Sequence, residues 1–232
     1  MSVALVTGAS RGLGLALAEA LAARGWSLVL DARNARDLAA AVRRLSPEQV
    51  RVLPGDVTDP DHRASMRCAT VELGGLDLLV NNASHLGPSP QPRLADYPLA
   101  ELVRVYDVDV HAPLALLQSV LPDLVARQGA LVNISSDAAV ESYPGWGGYG
   151  SAKAALDQLT AVLALEEPGL GVYSFDPGDM RTAMHQQAFP GEDISDRPEP
   201  ASVVPALLRL IEQRPPSGRY RATELLAASA AR

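Results

Sequence analysis

The 232-residue chain holds a single cysteine, Cys68, so no internal disulfide can form and a reducing compartment is expected. Positive charge is also scarce: 20 Lys and Arg stand against 27 Asp and Glu, a formal net charge of −7 at pH 7. That balance argues against nucleic acid or an anionic membrane as the main partner, because both need a basic face. No apolar run approaches the ~20 residues that span a bilayer. The first strand-like run begins at Ser2, which leaves no room before it for a removable signal. Apolar residues, by contrast, make up 47% and charged ones 20%, which excludes a disordered chain. A compact domain of this length buries on the order of 70–75% of its unfolded surface. The expectation is one soluble, cytoplasmic domain over residues 1–232.

Short β-branched runs alternate with longer helical ones. Strands are expected at Ser2–Thr7, Trp26–Leu30, Gln49–Leu53, Leu76–Val80, Ala130–Ser135 and Gly171–Phe175, with a short last one at Gly218–Thr223. Helices are expected from Leu13 to Gly25, at Asp37–Leu45, Asp61–Glu72, about Leu99 to Arg127, Ser151–Glu166 and Ser202–Gln213. Pro113 and Pro122 should kink the longest of these. The Pro-, Gly- and acid-rich stretch Asp176–Pro200 reads as a long loop. Six βα alternations with continuously apolar strands predict an α/β fold, a doubly wound parallel sheet with helices on both faces. In such sheets ligands bind at the carboxyl ends of the strands.

Thr7-Gly8-Ala9-Ser10-Arg11-Gly12-Leu13-Gly14 joins the first strand to the first helix. Glycines let a backbone approach a pyrophosphate, and a helix N-terminus offers unpaired N–H groups and a positive dipole end. A turn that merely packs strand on helix would look similar, but further signals stand in register. Asp56-Val57 closes the third strand and Asn81-Asn82-Ala83-Ser84 the fourth. Tyr149-x3-Lys153 opens a helix, and Pro177-Gly178 follows the sixth strand, with Thr182 four residues on. With these motifs in this order, over roughly Ser2 to Gln213, the chain resembles the short-chain dehydrogenase/reductase family. The resemblance implies a single three-layer Rossmann domain that binds a nicotinamide dinucleotide, with a substrate lid at about residues 179–200.

It also implies that Gly8, Ser10, Arg11, Gly12, Leu13 and Gly14 hold the dinucleotide, that Asp56 and Val57 hold adenine, and that Asn82, Ala83, Pro177 and Gly178 line the cofactor. Thr182 matches the position that contacts the nicotinamide carboxamide. Ser84 stands where the family usually has glycine, a departure expected to alter backbone freedom slightly. NAD-preferring relatives carry an acid at the position aligned with Ala32, whereas NADP-preferring ones carry a base just after it and often another in the glycine loop. Arg33 and Arg11 match both places, and a guanidinium suits a 2′-phosphate. NADP(H) is therefore the expected cofactor and NAD(H) the alternative. Asp31 shares a strand face with Arg33 and would pair with it or, after a one-residue slip, act as the acid of an NAD site.

Tyr149 and Lys153, four residues apart, lie on one helix face. An ammonium about 4 Å from a phenol favours its ionisation by on the order of 4 kcal/mol at an effective dielectric of ~20. That is roughly three pKa units, enough to bring Tyr149 from ~10 to near 7. By the resemblance, Ser136, thirteen residues before Tyr149, hydrogen-bonds the reacting carbonyl, while Ser135 points away. Asp109 aligns with a position where relatives carry asparagine, whose main-chain carbonyl holds a water bonded to the lysine. Aspartate keeps that carbonyl, but its carboxylate can pair with Lys153 and weaken its hold on a phenolate. The implied enzyme is an NADP(H)-dependent oxidoreductase interconverting a carbonyl and an alcohol, with Ser136, Tyr149, Lys153 and Asp109 at its chemical centre. The alternative, which Ser84 and Asp109 support, is a non-catalytic dinucleotide-binding sensor of the same fold.

His62, His85, His111 and His185 lack metal-ligand spacing, so no metal is expected. Cys68 reads as a buried small hydrophobe. Glu141, Tyr143 and Trp146 are expected along one wall of the substrate pocket, with Met180, Met184, His185 and Phe189 as contacts from the lid. Glu192, Asp193 and Asp196 are read as solvated. The helix after Tyr149 is apolar almost all round, and with the long helix before it suggests a homodimer or a homotetramer.

Overall fold

In the computed structural model, which describes residues 2–46 and 48–230, Val3–Val6 (β1) is buried at every position. Of the expected span 1–232, the remaining positions lie outside the described residues. Around β1 run Ser27–Ala32 (β2), Val50–Pro54 (β3), Leu78–Asn81 (β4), Ala130–Ile134 (β5), Gly171–Asp176 (β6) and Gly218–Arg221 (β7). Among the described residues they form one sheet, parallel throughout, in the order β3-β2-β1-β4-β5-β6-β7. The order reverses beside β1, and a crevice opens there at the strands' carboxyl ends.

Strand alternation divides the core into two layers. Val6, Leu30, Val80 and Phe175 pack against helices α1 (Gly12–Ala22), α2 (Ala35–Ala41) and α8 (Val204–Gln213). Leu5, Val29, Leu79, Leu131 and Val172 face α3 (Pro60–Glu72), α5 (Ala112–Ala126) and α6 (Gly147–Glu166). Each fully buried leucine, such as Leu17 and Leu21 of α1, contributes about 1.5–3 kcal/mol. On α3 the inward face is His62, Met66, Ala69 and Thr70, so Cys68 is turned outward and is exposed, contrary to expectation.

The longest helix is interrupted before Pro113, not at it. Leu99–Tyr106 (α4) leads into a wider π turn, Asp107–His111, and then α5. Pro113 has no N–H for the Asp109 carbonyl and its ring crowds that carbonyl, which accounts for the widened turn. Pro122 leaves α5 unbroken. It lies with Gln118 on the exposed face, where water can take the freed Gln118 carbonyl. Contrary to expectation, Leu99–Ala126 is long and apolar enough, by length and composition alone, to cross a bilayer. Here Val105, Leu116 and Val120 are buried against the domain's own core.

Two helices also appear where none was expected. Ala183–Ala188 (α7) forms inside the stretch read as loop, started by Thr182, whose hydroxyl oxygen accepts from the His185 N–H at 3.1 Å. Ala222–Ala230 (α9) follows β7.

Candidate active site

Residues from the carboxyl ends of the strands line one cleft of about 780 Å³. At one end stands the turn from β1 into α1, whose glycines have separable reasons. Gly12 has φ +60°, and a Cβ there would meet only Thr182, at 3.6 Å. A Cβ on Gly14 would lie 2.5 Å from Asn82 Nδ2 and 2.7 Å from the Gly8 carbonyl oxygen, so that position is closed by packing. Asn82 Nδ2 donates to the Thr7 and Gly8 carbonyls at 2.8 and 3.1 Å, and the Thr7 hydroxyl accepts from the N–H groups of Asn82 and Ala83, both at 3.0 Å. Asn82 thus locks the loop with its side chain.

The start of α1 has no side-chain cap and no acid in its first turn. Its free N–H groups, the cleft beside them and two exposed arginines, Arg11 and Arg33, fit the phosphates of a dinucleotide. Ser10, Leu13, Asp56, Val57, Ala83, Pro177, Gly178 and Thr182 line the same cleft. Burial pulls the Asp56 carboxyl up, but the Thr58 N–H and hydroxyl, with Arg33 and His62, hold it below the ordinary range.

Asp31 lines the cleft, but its ion-pair partner is His62 and not Arg33. One oxygen accepts from the Gly8 N–H at 3.0 Å and the other stands 3.0 Å from His62 Nε2, with the residue 1% exposed. Strand alternation puts Leu30 and Ala32 in the layer under α1 and α2, and Asp31 on the opposite side, toward His62 of α3.

At the other end, α6 carries Tyr149 and Lys153. It is tied to the sheet by a buried chain in which Asn81 Nδ2 donates to Asn133 Oδ1, and Asn133 Nδ2 donates to the Thr160 hydroxyl, both at 2.8 Å. Lys153 Nζ donates to the Ile134 carbonyl at 2.9 Å and stands 3.2 Å from Asp109 Oδ1. Tyr149, Lys153 and Asp109 are all buried. The Ser136 hydroxyl donates to Asp137 Oδ1 at 2.9 Å and accepts from the Ala138 N–H at 3.2 Å. Ser135 is buried with its hydroxyl unpartnered.

Lys153 does not carry Tyr149 toward neutrality by itself. Burial raises the phenol; Lys153 lowers it, Asp109 raises it, the Ser84 hydroxyl lowers it and Asp137 raises it, for a balance above the ordinary value. Burial would lower the Lys153 ammonium, but Tyr149 and Asp109 outweigh that and hold it above its ordinary value. The phenol is held above its ordinary value rather than near 7 first by its burial, and then because the ammonium is shared with a carboxylate and lies 5.5 Å from the phenol ring centroid.

A sequence profile described as short chain dehydrogenase matches residues 2–193. An uncharacterized oxidoreductase of Staphylococcus aureus (strain USA300) is 32% identical over 215 residues, covering 91% of each chain. The chain belongs to the short-chain dehydrogenase family. Among solved structures, one from Pseudomonas syringae, described as a short chain dehydrogenase, superposes with a TM-score of 0.89 at 30% identity, covering 95% of this chain and 94% of that one. Another, from Shigella flexneri 2a and complexed with NADP, gives 0.87 at 28% identity over 96% and 97%. This short-chain dehydrogenase is accordingly an NAD(P)-dependent oxidoreductase.

Around the dehydrogenase's chemical end the expected wall is only partly present. Trp146 lines the cleft, packed edge-on to Tyr149 with centroids 5.9 Å apart. Glu141 and Tyr143 do not line it: both are exposed, Glu141 bonded to Arg221 at 2.7 Å and accepting from the Tyr143 hydroxyl at 2.6 Å. Met180, Met184 and His185 line the cleft, and Phe189 packs behind them on Trp146 and His185.

Two features escaped the sequence reading. Ser84 acts through its hydroxyl, which donates to Asp109, and its backbone is not in the left-handed region that would favour glycine. Arg219 of β7 reaches the Ser136 carbonyl at 2.9 Å and pairs with Asp157 and Asp176. A compositional signal was also available: Lys153 is the only lysine in the chain, beside 19 arginines.

Proposed function

We propose that this short-chain dehydrogenase is an NADP(H)-dependent oxidoreductase that interconverts a ketone or aldehyde with its alcohol, acting on a small molecule in the cytoplasm. The observation that carries the reading is that Tyr149, Lys153 and Ser136 line the same cleft as the uncapped start of α1. Residues of the glycine loop, with Asp56, Val57, Asn82, Ala83, Pro177, Gly178 and Thr182, would hold the dinucleotide, and Arg11 and Arg33 its 2′-phosphate. Bound there, it supplies or accepts a hydride at its nicotinamide ring.

In the reducing direction Tyr149 gives its phenolic proton to the carbonyl oxygen, and in the oxidising direction it takes a proton from the alcohol. Ser136 turns its O–H from Asp137 to that oxygen. Lys153 sits behind the phenol and favours its ionised form. Residues 179–200, with α7, form the lid over the substrate. The exposed Leu99 and Val103 of α4 and Val162 and Leu165 of α6 support pairing of two copies through these helices.

Titrating the protein separately with NADPH and NADH, following nicotinamide fluorescence, tests the reading. Tight NADPH and weak NADH binding are expected, followed by turnover in a panel of ketones and aldehydes. A preference for NADH would overturn the assignment of Arg11 and Arg33. Binding of neither would overturn the whole proposal.

A further inference from the structure

Ser84 and Asp109 are this chain's two departures from the family pattern at the chemical end, and they touch each other. The Ser84 hydroxyl donates to Asp109 Oδ1. The same carboxylate accepts from the His85 N–H at 3.1 Å through Oδ2 and stands 3.2 Å from Lys153 Nζ through Oδ1. Ser84 and Tyr149 line the same cleft, and the Ser84 hydroxyl is among the groups that favour the ionised form of the phenol. We infer that Ser84 and Asp109 are a counterpoised pair of positioning residues: Asp109 takes up the charge of Lys153, and Ser84 turns its proton from Asp109 to the Tyr149 oxygen when Tyr149 gives up its own.

A serine has one proton and here two acceptors. While Tyr149 is a neutral phenol, the Asp109 carboxylate is the stronger acceptor and holds the Ser84 proton. Once Tyr149 has given its proton to a carbonyl oxygen, the phenolate competes for it. Asp109 can release it because the His85 N–H and the Lys153 ammonium still satisfy the carboxylate. No proton leaves Ser84; only its O–H turns. Asp109 alone would leave Tyr149 poorly ionised, since it neutralises the cation that the phenolate needs. Ser84 alone, beside an asparagine, would leave the phenolate over-stabilised. The pair also explains why the serine is tolerated where the family has glycine.

The groups facing this centre come from every element around it. Lys153, with Asp157 a turn further along, lies on α6. Asp137 follows β5, and the Tyr97 phenol lies just before α4. The His85 ring faces Glu101 of α4 at 3.9 Å.

The inference rests on Tyr149 being the acid/base group. It is tested by pH profiles of alcohol oxidation, which requires the phenolate and therefore rises as pH passes the Tyr149 pKa. Ser84→Gly and Ser84→Ala should move that limb up by about one to two pH units, the worth of one hydrogen bond to a charged group. Ser84→Thr should restore it. Asp109→Asn should move it down, and Ser84→Gly with Asp109→Asn together should return it to within about half a unit of the native position. Because the chain has one lysine, 15N labelling of lysine gives a single Nζ signal; its titration should fall to lower pH in Asp109→Asn, a readout that needs no turnover.

If Tyr149→Phe still turns over, the functional reading itself fails. If Tyr149→Phe is inactive but the Ser84 and Asp109 variants leave the limb unmoved, or move it in the same direction, the pair is overturned and the functional reading stands. A lysine signal that titrates identically with and without Asp109 overturns the pair as well, even if the Ser84 variants prove unstable.

Discussion

The two ends of the cleft are built from different materials. At the end proposed for the dinucleotide the chain works mainly through backbone: the Gly8 N–H is fixed by Asp31, the Gly8 carbonyl by Asn82, and the first N–H groups of α1 are left free. Its cations, Arg11 and Arg33, are exposed and make no ion pair among the described residues. At the chemical end the working groups are side chains, buried and charged, with Lys153, Asp109, Ser84 and Tyr149 each within reach of another. A backbone site is set by where glycines and small residues allow close approach, so it changes little when surface charges change. A buried side-chain network has no such slack, because each charge shifts the ionisation of the next.

If the ends are separable in this way, a variant at one should leave the other working. The largest effect is expected from Tyr149→Phe, which should lower turnover by about 10²- to 10⁴-fold, the usual worth of general acid–base catalysis. Its NADPH titration should stay within about twofold of native. Loss of NADPH binding as well would show that the two ends are coupled. Next in size is Arg11→Ala combined with Arg33→Ala. Losing two charge-assisted contacts should weaken NADPH by roughly a hundredfold while NADH is unchanged. Turnover at saturating NADPH should be preserved, which steady-state kinetics would read directly.

The same division explains what could be read from the chain alone. The sheet, the crevice and the glycine turn follow from patterns in sequence: apolar strand runs, Gly8-x3-Gly12-x-Gly14, and Asn82-Ala83 at a strand end. Such features depend on local backbone geometry, and local geometry is written in local residues. Asp31 was misplaced because its partner, His62, is 31 residues away and reaches it only through tertiary packing. Ser84 was read as a change in backbone freedom because its partner, Asp109, is 25 residues on, across a helix whose π turn sets their contact. Helix α7 was missed among prolines and glycines because its start depends on one hydroxyl, that of Thr182. Cys68 was put on the wrong side because helix phase decides burial, and His62, Met66 and Ala69 occupy the inward face.

Within the dinucleotide end, backbone and charge can be pulled apart further. Gly14→Ala places a methyl against Asn82 Nδ2 and the Gly8 carbonyl, and overpacking of that kind costs about 1–3 kcal/mol. Thermal unfolding should therefore fall by several degrees, since about 1 kcal/mol moves a domain of this size by roughly 2–4 °C. An unchanged melting temperature would mean that the Asn82 lock is loose.

The smallest effect should come from Asp56, where the charge is exposed. Burial opposes its ionisation, but the Thr58 N–H at 2.9 Å, the Thr58 hydroxyl at 2.8 Å, and Arg33 and His62 prevail, so its folded pKa lies below the unfolded value. A depressed carboxyl contributes stability above the unfolded pKa of ~3.9 and loses it as pH falls through the folded one. Asp56→Asn should therefore flatten the acid limb of melting temperature against pH slightly below about pH 4, with little change at pH 7 beyond the lost Thr58 contacts. Arg33→Ala should flatten it less, because the arginine is a weaker influence than the Thr58 bonds. An acid limb equally steep in native, Asp56→Asn and Arg33→Ala protein would show that Thr58 and Arg33 hold Asp56 no more firmly than water does, leaving the dinucleotide end a matter of backbone alone.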